Sequence, residues 1–127
     1  MATYRIYLVD DDRFLLDMYA VKFRAQGHEV TAFSGGKEVL QALREKPAPD
    51  ALLLDIVMPE LDGFQILEAI RTEKLAETSK VIVLSNQGQD SDIEKAKGFG
   101  VAGYIIKASA IPSEVYAETI AIIEKQA

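Results

Sequence analysis

Apolar residues in this chain follow two alternating rhythms: short runs rich in β-branched side chains, and longer stretches with a helical repeat. Tyr4 to Val9 reads as a first strand that ends at Asp10-Asp11-Asp12. Asp12 stands where a helix cap belongs, and Phe14, Met18, Val21 and Ala25 recur at helical spacing as the apolar stripe of a first helix. Gly27 stops that helix, and His28 to Phe33 makes a second strand. Ser34-Gly35-Gly36 turns into a second helix carrying Val39, Leu40 and Leu43, which Pro47 and Pro49 end. Ala51 to Leu54, with three consecutive leucines, is an apolar run that halts at Asp55. Such a run between turn signals is a strand buried on both faces.

Pro59 and Gly63 mark the next turn, and Asp62 caps a third helix with Phe64, Ile66, Leu67 and Ile70. Lys80 to Leu84 is a fourth buried strand, ending at Ser85-Asn86. A helix over Ser91 to Lys97 stops at Gly98 and Gly100, and Gly103 to Ile106 forms a fifth strand ending at Lys107. Pro112 opens the last helix, whose Val115, Tyr116, Thr119, Ile120 and Ile123 are read as core. Strands alternating with helices require parallel pairing through right-handed crossovers. The expected fold is α/β: a doubly wound, five-stranded, flavodoxin-like parallel sheet in the order 2-1-3-4-5, with helices on both faces. It should form one domain over residues 1–127.

That order brings the carboxyl ends of the strands to one edge, where ligands bind in open α/β sheets. Asp10 and Asp11, Asp55, Ser85 and Lys107 would converge there. Two ionised carboxylates ~5 Å apart repel by roughly 3 kcal/mol at an effective dielectric of about 20, so three need a counter-charge. An oxygen-only, partly open set suits Mg²⁺, and a carboxylate beside such an ion can act as a nucleophile toward phosphorus. Lys107 and Ser85 would contribute an ammonium and a hydroxyl to phosphoryl oxygens.

Composition narrows this further. A net charge of −6 argues against nucleic acid as a partner. The absence of cysteine removes disulfide and thiolate chemistry and accords with a cytoplasmic setting. No apolar run approaches the ~20 residues of a membrane span. The N-terminus enters a strand at once, without a signal-peptide pattern. No effector segment follows Gln126-Ala127, which leaves a single-domain relay and a trimmed longer protein both open.

Along nearly its whole length the chain resembles the response-regulator receiver domain of two-component signalling. The matching pieces are Leu8-Val-Asp-Asp-Asp12, Leu54-Asp-Ile-Val-Met-Pro-Glu-Leu-Asp-Gly63, Val83-Leu-Ser85 and Gly103-Tyr-Ile-Ile-Lys107. The resemblance implies that Asp55 is the phosphoacceptor. It further implies that Asp10, Asp11, Asp55 and the main-chain carbonyl of Val57 bind Mg²⁺. Ser85 is then the switch hydroxyl, Tyr104 the switch aromatic and Lys107 the phosphate-contacting lysine. The implied donor is a phosphohistidine on a sensor histidine kinase or phosphotransfer protein. Phosphorylation would shift the surface of the fourth helix, fifth strand and last helix toward an unidentified downstream partner, with the protein a monomer or a phosphorylation-dependent dimer. Such a domain is not an enzyme beyond self-catalysed phosphoryl transfer and loss.

Several positions depart from the family pattern. Ala108 stands where a cis proline is usual, and the segment from Ala108 to Ile111 is about one residue longer than usual. Asn86 occupies a position that is usually small. Val57 and Gln87 stand where the family tunes hydrolysis; valine cannot orient a water, which predicts a long-lived acyl phosphate. Two other readings share some features: a receiver-like adaptor that is never phosphorylated, and a Mg²⁺-dependent phosphatase with an aspartate nucleophile, to which the Asp-x-Asp spacing of Asp10 to Asp12 also conforms. A flavin carrier is disfavoured, because no phosphate loop follows the first strand. His28, distant in sequence from every motif, is expected at the surface.

Overall fold

In the computed structural model, residues 3–85, 90–107 and 111–125 are described, residue 90 in its backbone only. Ten elements alternate: β1 (Arg5–Val9), α1 (Arg13–Ala25), β2 (Glu29–Phe33), α2 (Gly36–Glu45), β3 (Ala51–Asp55), α3 (Gly63–Glu73), β4 (Lys80–Ser85), α4 (Asp90–Gly98), β5 (Gly103–Ile106) and α5 (Pro112–Glu124). The strands pair in parallel in the order β2-β1-β3-β4-β5, as the alternation of periods required. Element boundaries lie within one residue of the strand and helix limits expected from the pattern.

The two faces of the sheet each bury one half of every central strand. Tyr7, Val9, Leu52, Leu54 and Val83 pack against α2, α3 and Ala96 of α4. Ile6, Leu8, Leu53, Ile82, Leu84 and Ile105 pack against α1 and Val115 of α5. Period-two alternation thus assigns neighbouring residues of β3 to opposite cores, which is why Leu52 to Leu54 can all be buried. In α5, Val115 and Thr119 are buried and Ile122 and Ile123 pack against the second core.

Caps fix where the helices start. Asp12 Oδ1 accepts the Leu15 N–H at 3.2 Å. Asp62 and Gln65 form a reciprocal capping box, with both hydrogen bonds at 2.9 Å. Gly63 is fixed for a different reason. A Cβ there would lie 2.7 Å from the backbone oxygen of Asp55 and 2.7 Å from Ile56 Cα. Its N–H instead donates to the Ile56 carbonyl at 2.7 Å, closing the turn after β3.

Two expectations are corrected. The stripe of Phe14, Met18, Val21 and Ala25 does not face the sheet: Phe14 is 75% and Val21 67% exposed, and Met18 and Ala25 are also exposed. The buried face is Leu16, Tyr19, Ala20 and Phe23. This helix carries two apolar stripes, and the sheet takes the one with two aromatic rings, which covers more apolar area. His28 is the second correction, being buried rather than at the surface. The left-handed Gly27 (φ 95°) turns the chain back after α1, and the ring stacks on Tyr4 with centroids 5.4 Å apart.

Both findings are open to test by denaturant unfolding. Phe14→Ser should change stability by less than about 0.5 kcal/mol, whereas Phe23→Ala should cost about 3–5 kcal/mol. Gly63→Ala should cost about 1–3 kcal/mol, because the new methyl group meets backbone that cannot rotate away.

Candidate functional site

The carboxyl ends of β1, β3, β4 and β5 deliver the candidate residues to one edge. Asp10 follows Val9 directly, and its N–H donates to the Phe33 carbonyl at 3.1 Å, so β2 holds it in line. Its side chain is spanned on both oxygens: Oδ1 accepts the Asp12 N–H at 3.0 Å and Oδ2 accepts from Lys107 Nζ at 2.9 Å. Asp55 ends β3, and its Oδ1 lies 3.3 Å from the same ammonium. All three side chains are about 5% exposed. The ammonium is therefore the shared counter-charge of two buried carboxylates.

Asp11 completes the group from the solvent side. Asp10, Asp11 and Asp55 each offer an oxygen within 4.8 Å of the others, with Asp11 alone exposed. Ser85 is buried at the end of β4, and Asp55 and Leu84 are register partners, so the serine borders Asp55 across the strand pair. Tyr104 pairs with Val83 and is half-buried against the first core. Val57 lies two residues beyond Asp55 in the turn, with its side chain exposed. Asn86, Gln87 and Ala108, singled out above as departures, lie outside the described residues.

The electrostatics reflect this crowding. Burial, and then the neighbouring Asp10 charge, push the Asp55 carboxyl up to about 7, against the opposing pull of Lys107. Burial alone would depress the Lys107 ammonium. Its hydrogen bond to Asp10 and the charges of Asp55 and Asp10 outweigh that and hold it above the ordinary lysine value. A site with three carboxylates and one ammonium retains excess negative charge, and it is open on the Asp11 side. The donor set fits a small divalent cation: oxygen ligands only, close enough to share one ion, with room for water.

Sequence reading passed over Tyr19. Burial raises its phenol, which also feels Lys107, Asp10 and Asp55. Its ring packs in the core formed by Leu8, Leu84 and Ile105. Helical spacing from Asp12 could have flagged it, had the other stripe of α1 been taken as the inner one. It also gave Asp10 too little structural weight: this residue holds the Asp12 backbone as well as Lys107.

The model of the response regulator receiver domain family matches residues 6–116. The chain belongs to this family. The receiver is 32% identical to a chemotaxis protein CheY from Treponema pallidum (strain Nichols) over 108 residues, spanning 84% of this chain and 74% of that protein. It superposes on the chemotaxis protein CheY4 of Vibrio cholerae with a TM-score of 0.86 at 21% identity, covering 95% and 99% of the two chains, a likeness of fold. It also matches the receiver domain of the Francisella response regulator 1452, with a TM-score of 0.83, 26% identity and coverage of 96% and 98%. The chain is thus a CheY-like receiver of two-component signalling. Among its described residues no helix is long and apolar enough to cross a membrane.

The raised Asp55 carboxyl predicts a signed pH dependence. Because the folded state binds this proton more tightly than the unfolded chain, its contribution to stability is full below about pH 4 and lost as pH rises toward 7. In metal-free buffer, Asp55→Asn should therefore gain on wild type by about 3 kcal/mol between pH 4.5 and 7.5 in urea titrations. A constant difference across that range would contradict it.

Proposed function

We propose that this receiver is a phosphorylation-dependent switch in which Asp55 accepts a phosphoryl group from a phosphohistidine of a sensor histidine kinase or phosphotransfer protein. One observation carries the reading: Lys107 Nζ sits 2.9 Å from Asp10 and 3.3 Å from Asp55, beside a third carboxylate, at the ligand-binding edge of the sheet. In the transfer, an Asp55 oxygen forms a bond to phosphorus as the phosphorus–nitrogen bond breaks. The electron pair stays on the donor imidazole, which takes a proton from solvent. Asp55 must be ionised to attack, and the Lys107 ammonium favours that form.

Asp10, Asp11, Asp55 and the carbonyl of Val57 would hold Mg²⁺. Bound there, the ion supplies positive charge against the phosphoryl oxygens. Lys107 moves from bridging two carboxylates to contacting a phosphoryl oxygen, and the Ser85 hydroxyl donates to another. Tyr104 follows Ser85, shifting α4, β5 and α5 toward a state that binds a downstream protein. The donor approaches from the open Asp11 side, where the outward Phe14, Met18, Val21 stripe of α1 has the 4-3 spacing that packs against a partner helix. The receiver unit extends over residues 1–127, acts in the cytoplasm, and is a monomer or a phosphorylation-dependent dimer.

Incubation with Mg²⁺ and acetyl phosphate, read by intact mass, should add one phosphoryl group to wild type and none to Asp55→Asn. Absence of the gain in wild type would point to an adaptor that is never phosphorylated. Turnover of a generic phosphomonoester would point to a phosphatase. With valine at position 57, the adduct should persist well beyond seconds when its decay is followed by mass spectrometry. Asp11→Asn should weaken Mg²⁺ binding by roughly tenfold or more while leaving metal-free stability unchanged or raised. Clear metal-free destabilisation would reveal a structural role for Asp11.

A further inference from the structure

At the end of the sheet opposite the carboxylates, the chain's one histidine joins three separate segments. The Tyr4 N–H donates to His28 Nδ1 at 3.1 Å, and His28 Nε2 lies 2.9 Å from the Tyr116 hydroxyl of α5. The ring stacks on Tyr4 and leans on Tyr116 with centroids 5.7 Å apart, and Tyr116 in turn meets Phe23 of α1 edge-on at 5.1 Å. The Tyr4 hydroxyl donates to Glu124, in the last turn of α5, at 2.7 Å. The segment ahead of β1, the start of β2 and α5 therefore meet at one imidazole, and Tyr4 extends the joint to the last turn of α5.

The tautomer follows from the partners. A backbone N–H can only donate, so Nδ1 must accept, and the proton of the neutral ring sits on Nε2 and is donated to Tyr116. An imidazolium has two donors and no acceptor. A proton on Nδ1 would face the Tyr4 N–H directly, donor against donor, and the ring could not remain in place. We infer that His28 is a proton-operated clamp: neutral, it ties the chain ahead of β1 to α5, and protonated, it releases both.

Among the described residues no carboxylate bonds to the ring. Glu124 is held by Tyr4, Glu29 of β2 pairs with Arg5 of β1 at 3.9 Å, and Asp50 accepts the Arg5 N–H at 2.8 Å. Arg24 of α1 donates to the Val30 carbonyl at 3.0 Å, and Lys46, after α2, is the remaining charge in this region. Arg5, Arg24, Glu29 and Lys46 line an open cleft of about 540 Å³ that reaches His28, giving solvent protons a route to the ring. Imidazole is the side chain whose charge changes in mildly acidic water, so acid would loosen the seat of α5 through a group separate from the Asp55 carboxyl at the other end of the sheet. The clamp does not depend on phosphoryl chemistry at Asp55.

The test is a ¹H–¹⁵N NMR titration of the full chain from about pH 8 to 5, with His28→Gln and His28→Phe alongside. The Tyr4 amide should lose hydrogen-exchange protection by roughly tenfold or more, and the Tyr116 and Glu124 amides should shift, all with the midpoint of the imidazole's own ring protons. Whichever variant folds should lack that step. The clamp is overturned if the imidazole gains its proton while the Tyr4 amide stays protected. It is equally overturned if the ring stays neutral until global acid unfolding, or if the same step persists without the histidine.

Discussion

The receiver site rests on one ammonium shared by two buried carboxylates. Asp10 and Asp55 are each brought to the edge of the sheet by a central strand that is almost entirely apolar, and neither could be buried ionised by itself. Lys107 reaches both, at 2.9 and 3.3 Å, from the end of a strand two places away from β3. Such a buried ion group contributes little net stability, because desolvation offsets the attraction. Its consequence is geometric. The lysine pins β5 to β1 and β3 in a single register, and the excess of carboxylates over ammonium leaves Asp55 in a field that favours a positively charged arrival.

Everything around that group serves to hold it still. Both faces of the sheet are covered, so the strands cannot slide without exposing Leu52 to Leu54. Gly63 lets the third helix start directly against the backbone of Asp55, where any side chain would collide. Asp10 anchors the first helix through the Asp12 N–H while it anchors Lys107. One residue thus couples the start of α1 to the charge balance of the site. The opposite end of the sheet has its own polar joint, built on a neutral imidazole instead of an ion pair, and the two ends are separated by the full length of the strands.

The errors of sequence reading are local and have a common cause. On α1, Phe14, Met18, Val21 and Ala25 satisfy helical periodicity as well as Leu16, Tyr19, Ala20 and Phe23 do, and periodicity carries no information about which stripe meets the sheet. His28 has a polar side chain beside a turn, and only the presence of Tyr4 and Tyr116 from distant segments makes burial affordable, by satisfying both ring nitrogens. For His28 those partners lie 24 and 88 residues away in sequence.

The sequence by itself determined the alternation of five strands and five helices, the parallel sheet, and the residues at each strand's carboxyl end. Those features follow from local periods, caps and turn residues, which act over a few positions. That the three aspartates and the lysine meet at one edge also followed, once right-handed crossovers had set the strand order. Tertiary structure alone decided which stripe of α1 turns inward and that His28 is enclosed. It also decided that Asp10, rather than Asp11, shares Lys107 with Asp55, because competition between stripes, rings and charges for one buried place is settled only when distant segments pack together.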